Sequence, residues 1–489
     1  PPMRLSVVRA TAVALLAAFL VACGVTDADI DHCKHTPRGP GQIQAVLVGT
    51  RYPRRLRVHA ARALIELHHP SAIGLDMLVA AFTAMAQADR QEVLHGLLHE
   101  LLPLLRHQTL RADPQHIAAS GPGEQQIRAK DAGYLLLRFV GTADRQDLAN
   151  SLLDWILADM NTRALAGQYT AEQIVNAIGS SAVDRLIQAY SSNEDAIRVA
   201  ASISTLVNSV ATEAGKDAAA ARLVTVTREV SSPAMNARLR TTAAALLARG
   251  TDMSQHLSDS SMSGTDIAHG GGERVIELIR YLRVIEHSSM SGTFIAHGGG
   301  EPVVELLRDH YLAKCLYAAL RSLARPVGTQ YLISVAADPT VLLDRRRLAL
   351  AAVTGQVHAT NAAALLPIAL AVTDTDIELR GLAVDRLGEA RDPGSLTQLW
   401  TLFDTTNGGE DASEYLLRWK TGEAILKIAG PTAIATFMEH LGRPRVAAPN
   451  SLALAPGQPC IAQPFAGYVY REINGYALAI GDFARRRAT

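Results

Sequence analysis

From about residue 51 to 442 the chain alternates stretches in which apolar residues recur every three to four positions with short breaks of Gly, Pro, Asp or Asn. That is the period of amphipathic helices, and no strand-like alternation competes with it. One register recurs within the stretches. Arg57 is followed by Ala60, Ala61 and Leu64, and Arg380 by Ala383, Val384 and Leu387. Positions three, four and seven residues on share one helix face, and small residues there let neighbouring helices approach closely. Arg198 opens a similar segment, and Arg90, Arg128, Arg240, Arg346 and Arg418 can be placed in the same register. Successive spacings of 33, 38, 70, 42, 106, 34 and 38 residues give a unit of about 36, the length of two short helices and their turns. The pattern predicts an all-α fold, an α-solenoid of stacked antiparallel helix pairs. The pairs fall in two blocks, 51–250 and 302–442.

Composition agrees with helices. Of 489 residues, 48% are hydrophobic but only 5% aromatic, so packing relies on Leu and Ala. Lys+Arg and Asp+Glu both number 47, which leaves no overall field to attract nucleic acid, and no nucleic-acid partner is expected.

The segments Asp195-Ala196-Ile197-Arg198 and Asp376 to Leu402 resemble HEAT and HEAT-like repeats. In the second, Leu379-Arg380, Ala383 and Leu387-Gly388-Glu389-Ala390-Arg391-Asp392-Pro393 lead into the next helix. The resemblance implies that Asp195, Arg198, Asp376 and Arg380 form a structural ladder between adjacent repeats. It also implies a long surface for binding other proteins, and it specifies architecture rather than chemistry.

The N-terminus carries different information. Arg4 and Arg9 precede an apolar run from Ala10 to Ala22, about 20 Å as a helix and too short to span a bilayer. Residues 1–22 therefore read as a secretory signal. Leu20-Val21-Ala22-Cys23 resembles a bacterial lipobox, which implies that Cys23 is lipidated and becomes the mature N-terminus. Gly24 after it implies sorting to the outer membrane. Attachment to the cell envelope would then be through this lipid alone. Residues 23–50 are expected as a flexible linker, including Asp31-His32-Cys33-Lys34-His35, where metal-ligating side chains cluster without a formed site. Cys33, Cys315 and Cys460 are too scattered for a zinc framework.

The repeat is interrupted at 251–301 by a tandem duplication with a 28-residue offset. Ser-Ser-Met-Ser-Gly-Thr-x-Ile-Ala-His-Gly-Gly-Gly-Glu occurs twice, and Asp266 against Phe294 is the one difference in these fourteen residues. Ser263, His269 and Glu273 in one copy, and Ser291, Phe294, His297 and Glu301 in the other, are the candidate interaction residues. Free backbone N–H groups in each triple glycine, before a helix start, could hold an anion. His-Gly-Gly-Gly is similar to the oxyanion motif of some lipases, but the nucleophile elbow that motif requires is absent.

Other clusters read as structural. His95 and His99 flank Gly96 where a metalloprotease helix needs Glu. Arg345-Arg346-Arg347 is expected as a solvated face pairing with acidic neighbours. Residues 443–489 combine prolines with aromatics, from Phe465 to Phe483, that suit a cap for the open end of a solenoid. The expectation is a lipid-anchored scaffold for protein–protein interaction, with no catalysis, cofactor or metal. A hydrolase built on the duplicated loops and a structural subunit of an envelope assembly are the alternatives.

Overall fold

The computed structural model describes residues 25–67, 73–106, 123–241, 300–371, 376–406 and 412–442. Cys23, the signal segment and residues 443–489 lie outside them. All regular secondary structure among the described residues is helical, as expected when apolar positions repeat at helical rather than strand spacing. Two compact units divide the chain: residues 1–189 with 209–211, and residues 190–208 with 212–489.

The first unit contains α1 (Asp27–Cys33), α2 (Gly39–Val48), α3 (Arg54–Glu66), α4 (Ile73–Ala84), α5 (Gln87–Arg106), α6 (Glu124–Leu136) and α7 (Thr142–Ala158). The short helices α8 (Met160–Arg163), α9 (Ala171–Ile178) and α10 (Val183–Gln188) follow. Each helix from α1 to α5 packs on the helix two places further on, and α1–α2, α2–α3, α3–α4, α5–α6 and α6–α7 also pack as neighbours. One layer runs α2, α4, α6, and the other runs α1, α3, α5, α7. This is the solenoid-like arrangement the helical period demands, because each pair has an apolar face that only the next pair covers. Ala60, Ala61 and Leu64 of α3, and Val93, Leu94 and Leu97 of α5, are buried in that seam.

The second unit repeats the scheme. After α11 (Glu194–Val210) and α12 (Glu213–Val230), a helical segment begins at residue 233 and reaches 241. The pairs continue with α13 (Gly300–Leu323), α14 (Pro326–Ala337), α15 (Leu343–Ala352), α16 (Ala362–Leu370), α17 (Ile377–Ala390), α18 (Leu396–Thr405), α19 (Ala412–Ala429) and α20 (Ile434–Gly442). Helices α13, α15, α17 and α19 stack in one layer, and α14 packs on α16 in the other. Between α17 and α19 a Cβ on Gly388 would lie 3.0 Å from the Ala424 Cα, so the missing side chain sets the approach of these helices.

The register arginines have a specific task. The Nε of Arg57 donates to the Leu47 carbonyl at 3.0 Å, and the Nη1 of Arg90 donates to that of Phe82 at 3.2 Å. In the second unit Arg346 reaches the Ala336 carbonyl at 2.7 Å, Arg380 that of Ala369 at 3.1 Å, and Arg418 that of Phe403 at 2.5 Å. In each case the second helix of a pair satisfies a carbonyl of the first helix's last turn, where intrahelical donors run out and the dipole favours a cation. The member of this series on α7 is Arg145, which donates to Leu137 O at 2.5 Å. Arg128, placed in the register by sequence, instead reaches the Glu66 carbonyl at 2.7 Å from the other layer.

The expected linker is a correction. Thr26 and Asp29 form a capping box on α1, Ile30 is buried, and α1 packs on both α2 and α3. The Asp31–His35 cluster is tied into this helix: Lys34 Nζ lies 2.7 Å from Asp31 and 2.5 Å from Glu66, and His59 Nε2 lies 3.2 Å from Asp31. One buried apolar side chain and interhelical charge pairs are enough to dock seven residues against an existing layer. Among the described residues the solenoid-like stack therefore already includes Asp27–Cys33 and Gly39–Val48, before residue 51.

This docking is expected to be acid-sensitive. Burial raises the Glu66 pKa, but hydrogen bonds from Lys34 and Arg62 more than reverse that and leave it below its ordinary 4.5. A carboxyl with a lowered folded pKa adds stability above its unfolded value and loses it as pH falls through the folded one. Lys34, raised by its two carboxylates against the opposing effect of burial, stays charged throughout that window. Amide exchange in α1, corrected for intrinsic rates, should accelerate below about pH 4 relative to α3. Glu66→Gln should reproduce the change at neutral pH, and equal protection of α1 in all three samples would refute it.

Candidate functional site

The structure separates the residues singled out by sequence. Ser263, His269, Glu273, Ser291, Phe294 and His297 lie outside the described residues, and Glu301 falls in the first turn of α13. Asp376, at the N-cap of α17, accepts from Arg347 Nε of α15 at 2.8 Å and so bridges adjacent pairs. Asp195 and Arg198 make no hydrogen-bonded bridge of this kind, although the Arg198 guanidinium lies 5.9 Å from the Tyr311 ring centre on α13. The Asp195 N–H donates to Asn193 Oδ1 at 2.9 Å, and Arg198 pairs with Glu194 one turn back on an exposed surface. The reason is rotational: Ile197 and Ala200 are buried on α11, so the inward column passes one residue before Arg198. His95 is exposed and 3.7 Å from Asp144. Among the described residues no three His, Cys, Asp or Glu side chains converge as a metal site.

The arginine triplet is also a correction. Arg345 and Arg346 are buried rather than solvated, at 1% and 8% exposure, and Arg347 is paired with Asp376. Arg346 points to the Ala336 carbonyl. Arg345, one residue earlier and about 100° round the helix, points to a cleft in the second unit.

That cleft has a volume of about 350 Å³ and is lined by α12, the segment 233–241, α13, α14, the 338–341 turn and α15. Its size lies at the small end of ordinary ligand sites. Arg345 is its anchor. Nη1 donates to Asn236 Oδ1 at 3.1 Å, and Nη2 pairs with the Asp309 carboxylate. Asn236 is oriented in turn by donating to the Ser231 carbonyl at 3.2 Å. At the rim, Asp338 Oδ1 accepts from the Thr340 N–H at 2.8 Å and its hydroxyl at 2.7 Å, while the Arg228 guanidinium lies 5.4 Å from the Tyr331 ring centre.

Two buried donors in this cleft lack partners: Arg345 Nε and the Tyr317 hydroxyl. Leaving such a group unpaired costs about 1–3 kcal/mol. Polar atoms without partners occur elsewhere, but these two belong to residues that line one cavity, from which both atoms are themselves sealed. Burial pushes the Tyr317 phenol well above its ordinary value, so it remains a neutral donor at physiological pH. Burial also raises that of Tyr331.

The cleft's described lining contains no histidine or cysteine, and the Ser334 hydroxyl is spent on the Tyr331 carbonyl at 2.6 Å. Sequence reasoning missed Tyr317, Tyr331, Asn236 and Arg228, which come from elements up to about a hundred residues apart and share no motif; the triple arginine was the one visible trace. Comparison with family models, curated proteins and solved structures yields no match.

Proposed function

We propose that this protein is a HEAT-like scaffold for protein–protein interaction, held at the bacterial cell envelope by a lipid on Cys23. The observation that supports the scaffold reading most is the two-layer stacking within each unit. Such stacks close their cores against themselves and leave long, polar outer faces for partners. The lipobox resemblance at Leu20 to Cys23 supports the anchor. No helix among the described residues is long and apolar enough to cross a membrane. Other proteins are the partners in this reading, and neither nucleic acid nor a catalysed reaction belongs to it.

The anchor and the scaffold are tested separately. Cys23→Ser should abolish incorporation of labelled fatty acid and move the chain from the membrane to the soluble fraction; persistence in the membrane fraction would rule out the lipid as the anchor. The scaffold reading calls for affinity purification of the tagged chain from crosslinked, detergent-solubilised envelopes. A stoichiometric protein partner is the expected result, and its absence across replicate preparations counts against the proposal. Running a deletion of residues 260–301 in parallel assigns the contact to the duplicated segment if the partner is lost.

A further inference from the structure

The two layers of the second unit carry very different charge. Helices α15, α17 and α19 hold four, five and five residues of Asp, Glu, Lys and Arg. In the other layer α14 and α16 hold none, and α18 holds only Asp404, which pairs with His440 of α20 at 2.8 Å. This uncharged layer is exposed at Val327, Ala337, Ala363, Ala364, Pro367 and Thr401. The hydroxyls of Ser334, Thr401 and Thr405 are spent on carbonyls of their own helices. A helix face turned to water ordinarily carries charge, so a layer without it fits an uncharged cover.

We propose that residues 446–470 of this chain are that cover: an extended strap that leaves α20 and runs back over α18 and α16 instead of capping the end of the stack. Three observations select this occupant. The first is charge. These 25 residues contain no Asp, Glu, Lys or Arg, where a chain with 19% of them would place about five, and the only other run of at least that length is 348–373, which contains α16 itself. The second is position. Helix α14 packs on α16, α16 on the 393–395 turn that opens α18, and α20 is held on α18 by His440, whose ring stacks on Trp400 at 4.2 Å. The chain therefore leaves the stack after Gly442 from the uncharged layer. The third is reach. Pro449, Pro456, Pro459 and Pro464 bar a continuous helix, and 25 extended residues span about 80 Å against about 30 Å for the three steps from α20 to α14. Phe465, Tyr468 and Tyr470 supply apolar area to bury. A protein that binds this layer must first displace the strap, but the strap itself does not depend on the scaffold reading.

Crosslinking in the full chain tests this. With Cys23, Cys33 and Cys315 replaced by serine, Cys460 is the one native thiol. A short bismaleimide should join Cys460, within one chain, to the thiol introduced by Ala364→Cys on α16 at least about tenfold faster than to that introduced by Lys427→Cys on the exposed surface of α19. Ala363→Glu places a carboxylate in the first turn of α16, where the helix dipole favours it. It should leave helicity and the unfolding midpoint unchanged and speed chymotrypsin cleavage after Phe465, Tyr468 and Tyr470 by about tenfold, because an unpaired charge under an apolar strap opens it. Should that variant misfold, Thr401→Glu on α18 is read in the same way. The proposal is overturned by absence of an intrachain product from Ala364→Cys, by equal crosslinking from Lys427→Cys, by a product that forms only between two chains, or by unaltered cleavage in a folded Ala363→Glu or Thr401→Glu protein.

Discussion

Lys130→Met should destabilise the first unit by about 3 kcal/mol, with the loss concentrated at residues 164–170. Lys130 and Asp131 are neighbours on α6 and both buried, with Nζ 2.6 Å from Oδ1. The ammonium donates to the carbonyls of Ala166 and Tyr169, and lies 5.9 Å from the Trp155 ring centre. The carboxylate accepts from the Gln168 N–H at 2.9 Å and that of Tyr169 at 3.2 Å. Together the pair supplies both donors and acceptors to a loop with no secondary-structure partner. Gly167, at φ +81°, lets that loop close, because a Cβ there would sit 2.6 Å from Asp131 Oδ2.

Removing the lysine alone leaves a carboxylate and two carbonyls unbalanced in a dry site, which costs more than the pair itself contributes. Amides of Gln168 and Tyr169 should lose protection first, followed by a lower denaturation midpoint for the unit. A variant with unchanged exchange at these amides would show that water or neighbouring groups replace the ammonium without cost.

Arg57→Met should cost a similar amount, about 3 kcal/mol, whereas Arg198→Met should leave the denaturation profile unchanged. The two arginines look alike in sequence, each preceding small and apolar residues. In the fold Arg57 is 4% exposed, bonds the last-turn carbonyl of Leu47, and lies 3.3 Å from Asp89 of the next stacked helix. Methionine would fill the space but supply no donor to that buried carbonyl and leave Asp89 without this partner. Arg198 lies on the surface, where solvent replaces the Glu194 pair and the contact with the exposed Tyr311 ring 5.9 Å away adds little. Denaturant titration of both variants, followed by helicity and by amide exchange in α2 and α3, separates these outcomes. Equal effects would mean that the arginine-to-carbonyl bond is not what the register preserves.

This contrast also marks how far the sequence could be read. Spacing at three, four and seven residues is a property of a single helix, so the helical class and the inward faces at Ala60, Ala383 and Leu387 follow from it directly. Arg145 escaped because Leu148 replaces the small residue expected three positions on, and residues 107–122 lengthen the interval from Arg90. A charge triplet looks solvated in one dimension. Arg345, Arg346 and Arg347 are nevertheless sent to a cleft, a helix end and an acidic neighbour by two steps of about 100°. Asp31 to His35 looks like a tether because its polar residues show no repeat, yet the single apolar Ile30 and a partner surface already formed by α2 and α3 suffice to order it.

What the sequence determined by itself is the periodic part: helices, their pairing length, and the column of residues each turns inward, all consequences of local geometry repeated along the chain. Tertiary structure alone decided which buried polar groups meet. Tyr317, Tyr331, Arg345 and Asn236 form one cleft only because stacked helices bring distant turns together, and no local period encodes whether a buried donor finds an acceptor or is left without one.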